Sequence, residues 1–145
     1  MKIAIGCDPN AEAVKVKLMD FLLKQGYELL DFGSDDPIYA DTAICVAEYV
    51  AAKKADRGIL ICGTGLGMSI AANKVKGAYA ALITDSYSAE RAVKSNNSNI
   101  ACLGAFTVGY RLMEVLISTW LEAEYVDGTG SAPKVAKYVE YDACR

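Results

Sequence analysis

The chain of 145 residues contains no histidine. That absence removes histidine-based zinc sites and every Ser-His or Cys-His dyad. Any acid–base work is left to Cys, Asp, Glu, Lys or Tyr. Positive charge is not in excess either, since the net charge is −3. Nucleic acid and acidic lipid surfaces call for a basic patch, so neither is an expected partner. One small anion bound locally stays compatible with that charge. No apolar stretch reaches the length of a bilayer span, so no membrane partner is expected. The start, Met1 to Gly6, is a short apolar run that stops at Asp8. It lacks the pattern of a signal peptide. Cys7, Cys45, Cys62, Cys102 and Cys144 are odd in number and form no C-x-x-C pair. Neither a disulfide framework nor a zinc site is expected, and a reducing cytoplasm fits best.

What is present has ordinary globular character, with 53% hydrophobic and 23% charged residues. The length suits one domain over 1–145, large enough to bury a core without staples. Apolar runs alternate with helical spacing and no repeat or linker divides them. Met1–Cys7, Tyr27–Phe32, Arg57–Cys62, Ala78–Ile83 and Asn99–Leu103 read as strands. Helices are expected after Asp8, ending at Gly26, and around Ile44, Ala47 and Val50 with Asp41 as N-cap. Others are expected from the Gly63–Gly67 turn to Lys74, over Ser88–Lys94, over Val108–Glu124 and from Pro133 onward. This βαβ alternation predicts an α/β fold: a three-layer, Rossmann-like sandwich on a five-stranded parallel sheet with a C-terminal helix. The order expected is 2-1-3-4-5. Ligands in such sheets lie beyond the carboxyl ends of strands, where the order reverses. Asp8 and Cys62 would converge there.

The strongest local pattern is Ile61-Cys62-Gly63-Thr64-Gly65-Leu66-Gly67-Met68-Ser69, between a strand and a helix. Glycines allow a sharp turn and close backbone approach, and free amides at a helix start attract negative charge. A phosphate or an enediolate oxygen would suit such a nest. The spacing fits neither the Walker A loop nor the dinucleotide fingerprint. On spacing alone, a ligand loop and an empty strand-to-helix turn carry similar weight. Cys62 stands at its mouth, where a helix end favours a thiolate able to act as general base. A buried small hydrophobe is the commoner fate of a lone cysteine, and the other four cysteines take that reading. Asp8 reads as a sugar-hydroxyl acceptor or a cap, and Tyr39 is within reach of the site. Asn96, in Ser95–Asn99, reads as a polyol contact or a helix terminator.

Met1–Asp8, Gly58–Val75 and Asn99–Ala105 resemble the type B ribose-5-phosphate isomerases and the galactose-6-phosphate isomerase subunits. The resemblance runs from the first strand to the C-terminal helix. It implies aldose–ketose isomerisation through a cis-enediolate, without metal or cofactor, in a dimer or tetramer with sites between subunits. Cys62 would then be the base and Thr64 its catalytic companion. Gly63, Thr64, Gly65 and Gly67 would hold enediolate oxygens, and Met68 and Ser69 would be further substrate contacts. Asp8 and Tyr39 would contact the sugar, Asn96 would arrive from a partner subunit, and Lys134 would keep a positive charge.

The chain departs from that family at definite places. Pro9 follows Asp8 where a histidine is usual, Ser95 replaces a ring-opening histidine, and Phe106 replaces an arginine. In the C-terminal segment Thr129–Lys134, usually rich in arginine, only Lys134 is positive. The expected substrate is a sugar or sugar phosphate, pentose or tetrose, with an open-chain tetrulose phosphate held by Lys134 or Lys137 as one solution. Two alternatives are a non-catalytic subunit of an isomerase complex and a nucleotide-binding module.

Overall fold

A computed structural model describes residues 1–145. Its sheet is built from runs whose alternate residues face two helical layers. In β1 (Lys2–Cys7), Ile3, Ile5 and Cys7 face one layer and Ala4 the other. In β3 (Arg57–Cys62), Ile59 and Ile61 face the first layer, Leu60 and Cys62 the second. In β5 (Ile100–Gly104), Ala101 and Leu103 oppose Ile100 and Cys102 in the same way. Both faces of these strands are covered, which is why they read as continuous apolar runs.

The remaining strands are β2 (Glu28–Asp31) and β4 (Ala80–Leu82). The helices are α1 (Glu12–Lys24), α2 (Tyr39–Ala51), α3 (Leu66–Ala72), α4 (Ser86–Lys94), α5 (Tyr110–Glu122) and α6 (Ala132–Ala143). A short 3-10 turn, Pro9–Ala11, joins β1 to α1. Residues of α1, α4 and α5 fill the first layer, and those of α2 and α3 the second. No helix is long and apolar enough to cross a membrane.

The five strands are parallel, but their order is β2-β1-β3-β5-β4, not 2-1-3-4-5. An interior strand must be apolar along its whole length. All five residues of β5 are buried, whereas all three of β4 are half-buried. β5 therefore takes the place beside β3 and β4 becomes the edge. Register then sets Cys62 against Gly104. The segment after β5 lies beside the thiol as a result.

The edge is closed by a side chain. Asn73 Nδ2 donates to Ala80 O at 2.8 Å, and Asn73 Oδ1 accepts from Ala80 N at 2.9 Å.

One smaller expectation is also corrected. α2 starts at Tyr39, so Asp41 lies inside its first turn and is not the N-cap. A carboxylate there still complements the helix dipole. Asp36 Oδ1 takes the Ile38 amide at 2.8 Å instead. Trp120 on α5 is fully buried within the chain. Its indole N–H donates to Ser98 Oγ at 2.9 Å.

Candidate active site

Cys62 ends β3 on the α2–α3 side of the sheet and is 5% exposed. Its Sγ accepts the Gly65 amide at 3.1 Å. The thiol is therefore held by the loop that follows it. Gly65 has φ +79°, and a Cβ there would lie 2.9 Å from the Leu103 carbonyl carbon. Left-handed backbone and close approach together demand glycine. Gly104, the register partner of Cys62, is equally confined: a Cβ would meet the Thr64 backbone at 2.8 Å. The ends of β3 and β5 thus grip the loop between them.

Two aromatic rings flank it. A Cβ on Gly67 would sit 2.5 Å from the Tyr39 hydroxyl, and a Cβ on Gly63 would sit 3.0 Å from the Phe106 ring. Phe106 N donates to Gly63 O at 2.9 Å, and Ala105 N to Cys62 O at 2.8 Å. Tyr39 is 41% exposed and Phe106 72% exposed, so both rings form a rim rather than core.

Asp8 approaches from β1. Its amide donates to Ile61 O at 3.1 Å, beside the thiol-bearing residue. The side chain is buried, and Oδ1 has no hydrogen-bond partner in the chain. A buried polar atom left unpaired costs about 1–3 kcal/mol, so such an atom calls for a functional explanation.

The amides of Gly67 and Met68 find no backbone acceptor. The Met68 side chain lies wholly in the core, so only its amide is available. Ser69 Oγ points to Ala80 O at 3.4 Å, toward β4. Thr64 is exposed, and its Oγ1 accepts weakly from Leu66 N at 3.4 Å, just ahead of α3.

The structure brings Cys62, Thr64, Gly63, Gly65, Gly67, Asp8 and Tyr39 together, but not Asn96 or Lys134. Asn96 lies before β5, at the opposite end from Gly104. Five residues of strand put about 13 Å between those ends. Asn96 Nδ2 donates to Arg91 O at 2.9 Å, and the Asn96 backbone carbonyl accepts from the Tyr138 hydroxyl of α6. Lys134 is exposed on the first turn of α6.

The other cysteines differ from Cys62. Cys7 is fully buried, and burial pushes its thiol up to about 11. Burial also raises Cys102. Cys45 and Cys144 are exposed, outside this loop. A hollow of about 370 Å³ lies between the β4 edge and α6 near Tyr79 and Asp142, and it contains none of the residues around the thiol.

The family model described as Ribose/Galactose Isomerase matches residues 3–138. The chain belongs to that family. It is 45% identical to the D-erythrulose-4-phosphate isomerase of Pectobacterium atrosepticum, over 98% of this chain and 95% of that one. It is 47% identical to the ribose-5-P isomerase B of Listeria innocua, over 91% of each. A solved structure of Clostridium thermocellum ribose-5-phosphate isomerase B superposes with a TM-score of 0.93 at 45% identity, covering 99% of both chains. Membership of the ribose/galactose isomerase family makes this chain an aldose–ketose isomerase of the sugar-phosphate class.

Arg91 and Lys94, three apart on α4, share a separate hollow with Ser95, Thr129 and Ser131.

Proposed function

We propose that this chain interconverts an open-chain four-carbon ketose phosphate and its aldose, with Cys62 as the proton-moving base. The observation that carries this reading is the Cys62 thiol held against the Gly65 amide at 3.1 Å. The unpaired Asp8 carboxylate oxygen lies on the neighbouring strand.

Going from ketose to aldose, the Cys62 thiolate takes a hydrogen from C1. The C1–H electrons form the C1=C2 bond, and the carbonyl pair moves onto O2. Amides of the loop, among them Gly67 and Met68, stabilise that oxyanion where it develops. The thiol then returns the proton to C2, and the C1 hydroxyl becomes the aldehyde as its proton passes to O2. Thr64 Oγ1 can carry that proton, and Asp8 accepts a hydroxyl further along the chain. Atoms and electrons balance without an oxidant.

The substrate size follows from chemistry. A tetrose 4-phosphate has its O4 esterified, so it cannot close a five-membered ring. An open chain needs no ring-opening histidine, and this protein has none. The P. atrosepticum relative is named for a substrate of that kind.

Asn96 and Lys134 lie at the other end of the sheet, so the reading includes a second copy that presents them to the thiol of the first. A homodimer or tetramer in the cytoplasm is the setting proposed.

The test is exchange of substrate C–H with solvent deuterium, followed by NMR over four- and five-carbon sugars and their phosphates. Tetrose phosphates should exchange fastest, and Cys62→Ser should abolish most exchange while still folding. Full exchange in Cys62→Ser would remove the thiol from the mechanism.

A further inference from the structure

We propose that Lys15, a buried cation outside the candidate site, is a positioning residue for Asp8, acting through Asp31 and the turn at Gly33. This role takes Asp8 as a substrate contact, as in the proposed function.

Lys15 lies on the face of α1 that also buries Leu18 and Leu22. An apolar residue would complete that stripe, since positions three and seven further along share one helix face. Instead an ammonium group is sealed there, with its side chain 3% exposed. Its one ion pair is with Asp31 Oδ1 at 2.5 Å, and the Asp31 side chain is 42% exposed. A sealed charge facing a half-wet carboxylate is poor support for a fold, because desolvation offsets much of the attraction. What the pair holds in place explains it better.

Asp31 Oδ1 accepts from Gly33 N at 2.9 Å as well as from Lys15. Gly33 has φ +90°, and its carbonyl accepts from Cys7 N at 3.3 Å. The pairing of β1 with β2 ends at Ile5 and Asp31, so this bond carries the ladder on to the residue before Asp8. On the other side, Asp8 N donates to Ile61 O at 3.1 Å. Asp8 thus leaves β1 between two holds, one on β3 and one on the Gly33 turn. Only the second depends on a side chain, and Lys15 fixes that side chain. The other tether from α1 to this turn, Ser34 Oγ donating to Glu12 Oε1 at 3.0 Å, is exposed.

Lys15 also balances the charge behind Asp8. Burial raises the Cys7 thiol, and Asp8, Asp31 and Glu12 push it the same way, while Lys15 alone opposes them. One cation therefore answers three carboxylates at the end of β1. Asp8 Oδ1, buried and unpaired, is held beside that cation's field with its lone pairs free for a substrate hydroxyl.

Lys15→Met keeps the length of the side chain and removes its charge. Asp31 is exposed enough to find water, so the variant should fold. In NMR spectra of the labelled full-length protein, the amides of Cys7, Asp8 and Gly33 should move, while those of β4 and α6 stay. An unmoved Asp8 amide overturns the proposal without any assay of turnover. Kinetics supply the second readout, on the sugar phosphate that the chain turns over fastest. Lys15→Met should lower kcat/KM about tenfold in the parent but less than about twofold in Asp8→Asn, since a residue acting through Asp8 has nothing left to act on. Equal losses in the two backgrounds overturn the proposal and leave Lys15 a structural residue. Should Lys15→Met fail to fold, Asp31→Asn carries the same cycle. It keeps an oxygen for Gly33 and withdraws the charge facing Lys15, and a loss that persists in Asp8→Asn again overturns the proposal. Full activity in Asp8→Asn alone strikes Asp8 from the proposed function and the role of Lys15 with it, whereas the other adverse outcomes strike Lys15 only.

Discussion

The Tyr39 ring lies where a side chain on Gly67 would stand, with the Tyr39 hydroxyl 2.5 Å from the Cβ that glycine lacks. The start of α2 thereby closes over the start of α3, and Tyr39 becomes one wall of the space above Cys62. Gly67→Ala should push the ring outward. The ring is at the far end of a rotatable side chain, so stability should change little, within about 1 kcal/mol. KM should rise several-fold while kcat falls less. Steady-state kinetics with thermal melting of the same variant separate these effects.

Asp8 carries the opposite balance. Its buried Oδ1 has no partner within the fold. Asp8→Asn should leave the fold as stable or gain about 1 kcal/mol, because an amide is cheaper to bury than a carboxylate. Turnover should fall about a hundredfold if Asp8 holds a substrate hydroxyl, in line with losses of a buried polar contact. A variant that is both less stable and fully active would assign Asp8 a purely structural part.

Gly104→Ala tests the grip on the loop. Its Cβ would strike the Thr64 backbone at 2.8 Å as well as the Thr107 hydroxyl. Backbone cannot swing aside as a side chain does, so a loss of about 1–3 kcal/mol is expected. Activity should fall too, because the same displacement moves Gly65 away from the thiol. Urea denaturation measures the first effect and the deuterium-exchange assay the second.

Alkaline stability should follow the buried thiols. Cys7 keeps its proton in the fold up to about 11, whereas an unperturbed thiol loses it near 9.0. The unfolded chain then binds fewer protons than the folded one, so stability falls as pH rises through that window and is intact below it. Burial shifts Cys102 in the same direction, and Tyr79 rises through burial and its hydrogen bond to Asp142. The urea midpoint should hold from pH 7 to 8.5 and drop beyond 9, with a shallower drop in Cys7→Ala. In native protein, iodoacetamide at pH 8 should reach Cys45, Cys144 and Cys62 but spare Cys7 and Cys102. Mass spectrometry of the labelled peptides checks this.

The sheet's buried strands could be read because parallel strands covered on both faces show as unbroken apolar runs, as in Ile3–Cys7 and Ile59–Cys62. The thiol and its glycines could be read because Gly65 answers to local backbone demands. Strand order could not, since it depends on which of two apolar segments better tolerates an open edge. Ala80–Leu82 and Ile100–Gly104 differ in burial, which becomes visible only on folding. That same swap brought Phe106 onto Gly63, a contact between residues 43 positions apart in sequence that no short pattern encodes. The hollow beside Arg91 and Lys94 was hidden for a similar reason. Their hydroxyl companions Thr129 and Ser131 come from a connection far along the chain.

Asn73 shapes how the molecule meets its own kind. An edge strand with free N–H and C=O groups invites further strands and, in the end, fibres. By answering both groups of Ala80 with a single amide, Asn73 acts as a one-residue stopper on the sheet. At Ala80, the β4 edge is thereby closed to pairing with a strand from another chain.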